Sequence, residues 1–181
     1  MSLIGVEITK HKIRFAYDAQ TTVDNEKIAF AEEPKVFSVG NVAVGISAES
    51  IVKQYLREFL SNQKSDIKLP TTYLVCKLME DFLTFAKEGG NHRFEEKDLG
   101  SILITDGNKV YSFTFEWFTC REVKEFEFIG SPRKYAEGAY LGMKNTSGTT
   151  ESDILSKAIS IVCKLDIYCS EPVEILEIIK K

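Results

Sequence analysis

Only two histidines, His11 and His92, stand in the 181 residues, and they lie far from the four cysteines, Cys76, Cys120, Cys163 and Cys169. No two cysteines have CxxC spacing, so neither a metal centre nor a disulfide framework is expected. No GxGxxG stretch marks a dinucleotide site. A Ser-His-Asp triad would need one of the two histidines to fall beside a serine and an aspartate.

Composition narrows the partners. With 44% apolar and 28% charged residues the chain suits one domain spanning residues 1–181 with a sizeable core. The formal net charge of −4 lacks the basic footprint that phosphate neutralisation needs, so no nucleic-acid partner is expected. No run of eighteen apolar residues occurs, and MSLIGVEITKHKIRFAYDA alternates rather than forming an apolar block. The expectation is a soluble, cytoplasmic protein that does not enter a membrane.

The elements that must position any site follow from periodicity. Residues 3–8 and 12–18 alternate as a strand pair around Thr9-Lys10-His11. Lys35–Val39 and Val42–Ile46 form a second hairpin about the turn residues Gly40-Asn41. The period then changes. Ile51, Val52, Tyr55, Leu56, Phe59 and Leu60 line one face of a helix from Glu49 to about Leu60. A second helix runs from about Thr71 to Lys87, stops at Gly89-Gly90, and carries an apolar stripe wide enough for both a sheet and a neighbouring helix.

Strands return at Ser101–Thr105 and Lys109–Phe115 around Asp106-Gly107-Asn108, with extended pieces at Glu116–Thr119 and Glu125–Phe128. A third helix is expected over Pro132–Met143, with Tyr135, Ala136, Ala139, Tyr140 and Met143 on one side. A fourth spans Glu151–Leu165 with Ile154, Leu155, Ala158, Ile161, Val162 and Leu165 on one stripe, and Thr150 with Asp153 resembles a capping box. Residues 172–178 read as a last strand. Strands, two helices, strands, two helices and a strand suit helices grouped outside antiparallel sheets better than alternating βαβ units.

That order, together with YDAQTT, FIGSPRKYAEGAYLG and KLDIYCSEPVEI, resembles proteasome subunits and the bacterial HslV peptidase over nearly the whole chain. The resemblance implies an α+β fold of four layers, αββα, with two antiparallel sheets between helix pairs. It also implies a chain-terminal nucleophile activated by its own α-amine, which removes the need for histidine and for any metal or organic cofactor.

Counting back from Asp18, the family's terminal Thr falls on Ser2, which could act only after removal of Met1. The other readings of Ser2 are an exposed terminal serine and part of an appended MSL leader. Lys35 and Asp18 match the family's essential Lys and its charge partner, a buried ammonium that lowers the nucleophile's proton affinity. Read from the residues alone, Lys35 is a strand-flanking Lys. Gly45 matches the glycine whose N–H helps to form the oxyanion hole, although the spacing from Lys35 is short and a turn glycine is the alternative.

Ser131 follows Gly130 as in the family's Gly-Ser-Gly, whereas Ser131-Pro132 is also an ordinary helix cap and start. Asp166 and Cys169 match the family's Asp-x-x-Ser, with a weak thiol donor in place of a hydroxyl. The resemblance thus implies an amidohydrolase or peptidase, or a non-catalytic self-assembling subunit whose site has decayed. Its partners would be copies of itself, a peptide substrate and an unfoldase.

Overall fold

A computed structural model describes residues 2–23, 26–28, 34–63, 66–89, 99–146 and 151–180, without the side chains of 21–23, 26–28 and 151–152. Met1, His92, Gly90 and Thr150 lie outside the described residues, and with Thr150 the expected capping box. The chain forms two compact units, one from the residues up to Val36 with Glu125–Lys180, the other from Phe37–Lys124.

The first unit is a four-stranded antiparallel sheet in the order β10-β1-β2-β11, built from β1 (Ile4–Ile8), β2 (Lys12–Asp18), β10 (Phe126–Ile129) and β11 (Val173–Ile179). The register pairs Gly5 with Ala16 and Phe128, and Asp18 with Val173. Two helices, α3 (Arg133–Lys144) and α4 (Glu151–Leu165), pack on this sheet and bury Leu3, Ala16, Phe128, Ala136, Tyr140, Leu155, Ala158 and Val162. Gly5 makes that close packing possible, because a Cβ there would meet Phe128 Cε1 at 2.5 Å and Leu155 Cδ1 at 2.9 Å.

One polar row crosses the same face. Glu7, Arg14 and Glu177 stand opposite one another on β1, β2 and β11, and Tyr140 Oη donates to Glu7 Oε1 at 2.5 Å. A two-stranded hairpin of β3 (Thr21–Val23) and β4 (Glu26–Ile28) also belongs to this unit, and the hydrophobic pattern gave no sign of it.

The second unit is a five-stranded sheet in the order β5-β6-β7-β8-β9, from β5 (Val36–Val39), β6 (Val42–Ser47), β7 (Ser101–Thr105), β8 (Val110–Thr114) and β9 (Thr119–Val123). Its helices are α1 (Ser50–Ser61) and α2 (Thr72–Glu88), and α2 touches α1, β8 and β9 as its wide stripe requires. Val44, Leu56, Phe59, Val75, Met79, Phe82, Ile104 and Phe113 form the core. Thr71 caps α2 by accepting the Leu74 N–H, and Gly89 follows its last turn.

Some expectations fail for local reasons. Ile161 and Leu165, expected on the stripe of α4, are exposed, because Ile154, Leu155, Ala158, Ile159 and Val162 supply the buried contact. Residues 116–118 are not a strand: Phe115 O accepts the Phe118 N–H in a tight turn, Phe118 takes φ 47, and the strand starts at Thr119. Tyr135 does not join the buried side of α3 and is 65% exposed, since Ala136 and Tyr140 already fill the contact with the sheet.

Candidate active site

The start of the chain is fixed by one carboxylate. Asp18 ends β2 on the helix-bearing face of the first sheet, wholly buried, and its Oδ1 accepts the backbone N–H of Leu3 at 2.8 Å. The same oxygen lies 2.8 Å from Lys35 Nζ, and Lys35 is only 4% exposed. The geometry is an ion pair lying off the direction a hydrogen bond needs: neither Nζ nor Asp18 Oδ2 has a hydrogen-bond partner among the described residues. The Ser2–Leu3 peptide is thus one carboxylate away from a buried ammonium.

Gly130 directly follows β10 and approaches Ser2 from another side, with a backbone so close that a Cβ on it would overlap the Ser2 carbonyl oxygen. Ser131 follows on the exposed side. The cap position of α3 belongs to Pro132, not Ser131, which corrects the simple capping reading by one residue.

Asp166 continues α4, its N–H bonded to Val162 O, and its Oδ1 accepts the Tyr168 N–H at 2.8 Å. That local turn brings Cys169 back into the apolar contact with α4 and the sheet, fully buried. Burial, then the nearby carboxylates, Asp18 foremost and also Asp166, push the Cys169 thiol far above its ordinary range. The thiol is therefore a poor nucleophile and a weak donor. Cys163 on α4 feels the same charges, and burial followed by Asp18 and Glu171 raises it to about 11.

Gly45 is placed differently from the expectation. It lies inside β6 opposite Leu103, two residues before the strand ends. β6 stands between β5 and β7 in the strand order, so Gly45 is a strand residue and not a turn glycine.

Sequence reading missed three contributors here: the Leu3 N–H, the seat that Gly130 forms for Ser2, and Cys163. Only Gly130 carried a signal, a glycine directly before Ser131 where the chain leaves a strand. Among the described residues no group of three or more His, Cys, Asp or Glu side chains is placed to hold a metal ion, and no helix is long and apolar enough to cross a membrane.

Two antiparallel sheets, each backed by a helix pair, are the elements of the proteasome-type N-terminal-nucleophile hydrolase fold, the αββα class expected from the sequence. Solved structures of that fold match nearly the whole chain. A bacterial proteasome-like protein, BPH of Thiobacillus denitrificans, solved in complex with epoxomicin, aligns with TM-score 0.84 at 16% identity over 99% of each chain. HslV from Trypanosoma brucei aligns with TM-score 0.69 at 17% identity over 97% of this chain and 98% of its own. Anbu, an ancestral β-subunit from Yersinia bercovieri, aligns with TM-score 0.70 at 11% identity over 99% of this chain and 82% of its own. No protein-family model and no curated protein matches the sequence.

Proposed function

We propose that the chain is an amidohydrolase acting on peptide or other amide bonds, with Ser2 as its nucleophile once Met1, or whatever precedes Ser2, is removed. The observation that carries this reading is the single oxygen Asp18 Oδ1, which ties the Leu3 amide to the Lys35 ammonium. A buried ion pair is costly to a fold, and such pairs concentrate where charge is needed for chemistry.

Ser2 Oγ adds to the amide carbonyl carbon while its proton passes to the Ser2 α-amine, and the carbonyl electron pair moves onto oxygen. Collapse expels the leaving amine, which takes that proton from the α-ammonium. Water then cleaves the resulting ester by the same route and restores Ser2. The positive charge of Lys35 favours the developing negative charge on Oγ, and Asp18 keeps Lys35 in place. Ser131, next to the seat of Ser2, and Asp166 are the proposed hydroxyl and carboxylate partners of the site. Cys169 packs and does not react, and Gly45 has no role in this scheme.

Epoxomicin, the ligand of the Thiobacillus protein, is the natural probe. Intact-mass analysis of the chain with a free Ser2 is expected to find one adduct per chain, absent from Ser2→Ala and strongly reduced in Lys35→Met. Equal labelling of Ser2→Ala, or none of the parent chain together with no cleavage of a fluorogenic peptide-amide panel, contradicts the assignment.

One observation favours a second reading, a self-assembling subunit without catalysis. Tyr135 and Leu141 on α3 and Ile161 and Leu165 on α4 are exposed apolar side chains on the helices of one unit. Under that reading sedimentation finds closed oligomers and the epoxomicin adduct is missing, whereas a monomer at high concentration rules it out.

A further inference from the structure

Gly130 adopts φ +108, a backbone conformation that residues with a Cβ rarely occupy. Its surroundings are as restrictive as its dihedral. A Cβ on Gly130 would overlap the Ser2 carbonyl oxygen, stand 2.9 Å from the Ser2 carbonyl carbon and 3.4 Å from Leu3 Cα. The other edge of the same peptide unit, the Leu3 N–H, donates to Asp18 Oδ1 at 2.8 Å. A peptide unit is planar, so holding its C=O on one side and its N–H on the other fixes the Ser2 Cα as well. By contrast, a Cβ on Gly138 in α3 would meet nothing within 4 Å.

We propose that Gly130 is a positioning residue: with Asp18 it clamps the Ser2–Leu3 peptide plane, and so sets where the Ser2 hydroxyl and α-amine stand relative to Lys35. This rests on Ser2 being the nucleophile of the reaction proposed above. Gly130 touches no substrate in this role and acts only through the backbone of Ser2. Any side chain at 130 moves the Ser2 carbonyl, and the nucleophile moves with it.

The test compares Gly130→Ala with Gly138→Ala in the full chain with Ser2 free. Two readouts are taken well below the melting temperature: Leu3 amide hydrogen exchange by NMR and the rate of epoxomicin adduct formation. In Gly130→Ala the Leu3 amide is expected to exchange about ten-fold faster, because its hydrogen bond to Asp18 is loosened. The adduct is expected to form at least about ten-fold more slowly, since a displacement near 1 Å is enough for that. Gly138→Ala should match the parent chain in both.

Unchanged Leu3 exchange in Gly130→Ala overturns the clamp, and faster exchange with an unchanged adduct rate overturns the positioning role. A parent chain that takes no adduct overturns the nucleophile, and with it the role of Gly130. That failure is distinguishable because Leu3 exchange would still respond. If Gly130→Ala does not fold, the parent chain decides: an NOE between a Gly130 Hα and the Leu3 Hα supports the seat, and its absence overturns it.

Discussion

Replacing Lys35 by methionine keeps the reach of the side chain and removes its charge. Asp18, with no exposed surface, is then left with the Leu3 N–H as its remaining partner among the described residues. Breaking a buried ion pair from one side costs about 3–5 kcal/mol, because the surviving charge stays desolvated. The 2.8 Å bond from Leu3 offsets part of that and puts the expected cost near the lower bound, about 3 kcal/mol.

For a chain of this size each kcal/mol lowers Tm by roughly 2–4 °C, so Lys35→Met should melt roughly 6–12 °C lower. The assay is urea unfolding of Lys35→Met, Asp18→Asn and the double variant. The pair should couple by about 1–3 kcal/mol, so that the double variant is less destabilised than the sum of the singles. A loss below about 1 kcal/mol in Lys35→Met, with no coupling, would refute a dry Lys35–Asp18 pair, because an exposed pair is worth no more than that.

Three further outcomes follow from other parts of the fold. Gly5→Ala forces a Cβ against Phe128 and Leu155 and should cost about 1–3 kcal/mol in urea unfolding, and a neutral result would mean that α4 packs less closely. Thr71→Ala removes the cap of α2, whose hydrogen bond is a long 3.4 Å, and should cost at most about 1 kcal/mol by the same measurement. The Cys163 thiol is raised from 9.0 to about 11 and Cys120 from 9.0 to about 12, in both cases chiefly by burial. Above pH 9 the unfolded chain therefore loses thiol protons that the native state keeps. The stability they contribute is complete below pH 9 and falls as the pH rises toward 11 and 12. A urea midpoint independent of pH between 8 and 10.5 in the parent chain, and equal in slope to that of Cys163→Ala/Cys120→Ala, would contradict those buried thiols.

The helices were legible because each writes its buried face into the sequence: Val52, Leu56, Phe59 and Leu60 on α1, and Ile154, Leu155, Ala158 and Val162 on α4, recur at helical spacing and are buried. Tyr135 misled because periodicity marks a face but not its width. The face of α3 that meets the sheet is filled by buried Ala136 and Tyr140, with Ala139 and Met143 half-buried against the same cluster. The β3–β4 hairpin was invisible since three-residue strands are too short to set a period.

At the site, Asp18 and Lys35 were legible as a pair only through the resemblance, since no local pattern joins two charges seventeen residues apart. Their contact is nonetheless direct. For Gly45, counting from Lys35 finds a glycine without telling whether it stands in a turn or within a strand, and the structure places it within β6 opposite Leu103. The Leu3 N–H could not be foreseen, because backbone donors leave no mark in residue type.

The central claim is that Ser2 presents a free α-amine beside its hydroxyl, and the state of the chain's first residue tests it most directly. Untagged protein purified from its own cells, digested and sequenced by tandem mass spectrometry, should begin at Ser2 with an unmodified amine. A chain that keeps Met1 or any longer leader, or whose Ser2 amine is acetylated, contradicts the account, for the base that the reaction requires would not exist.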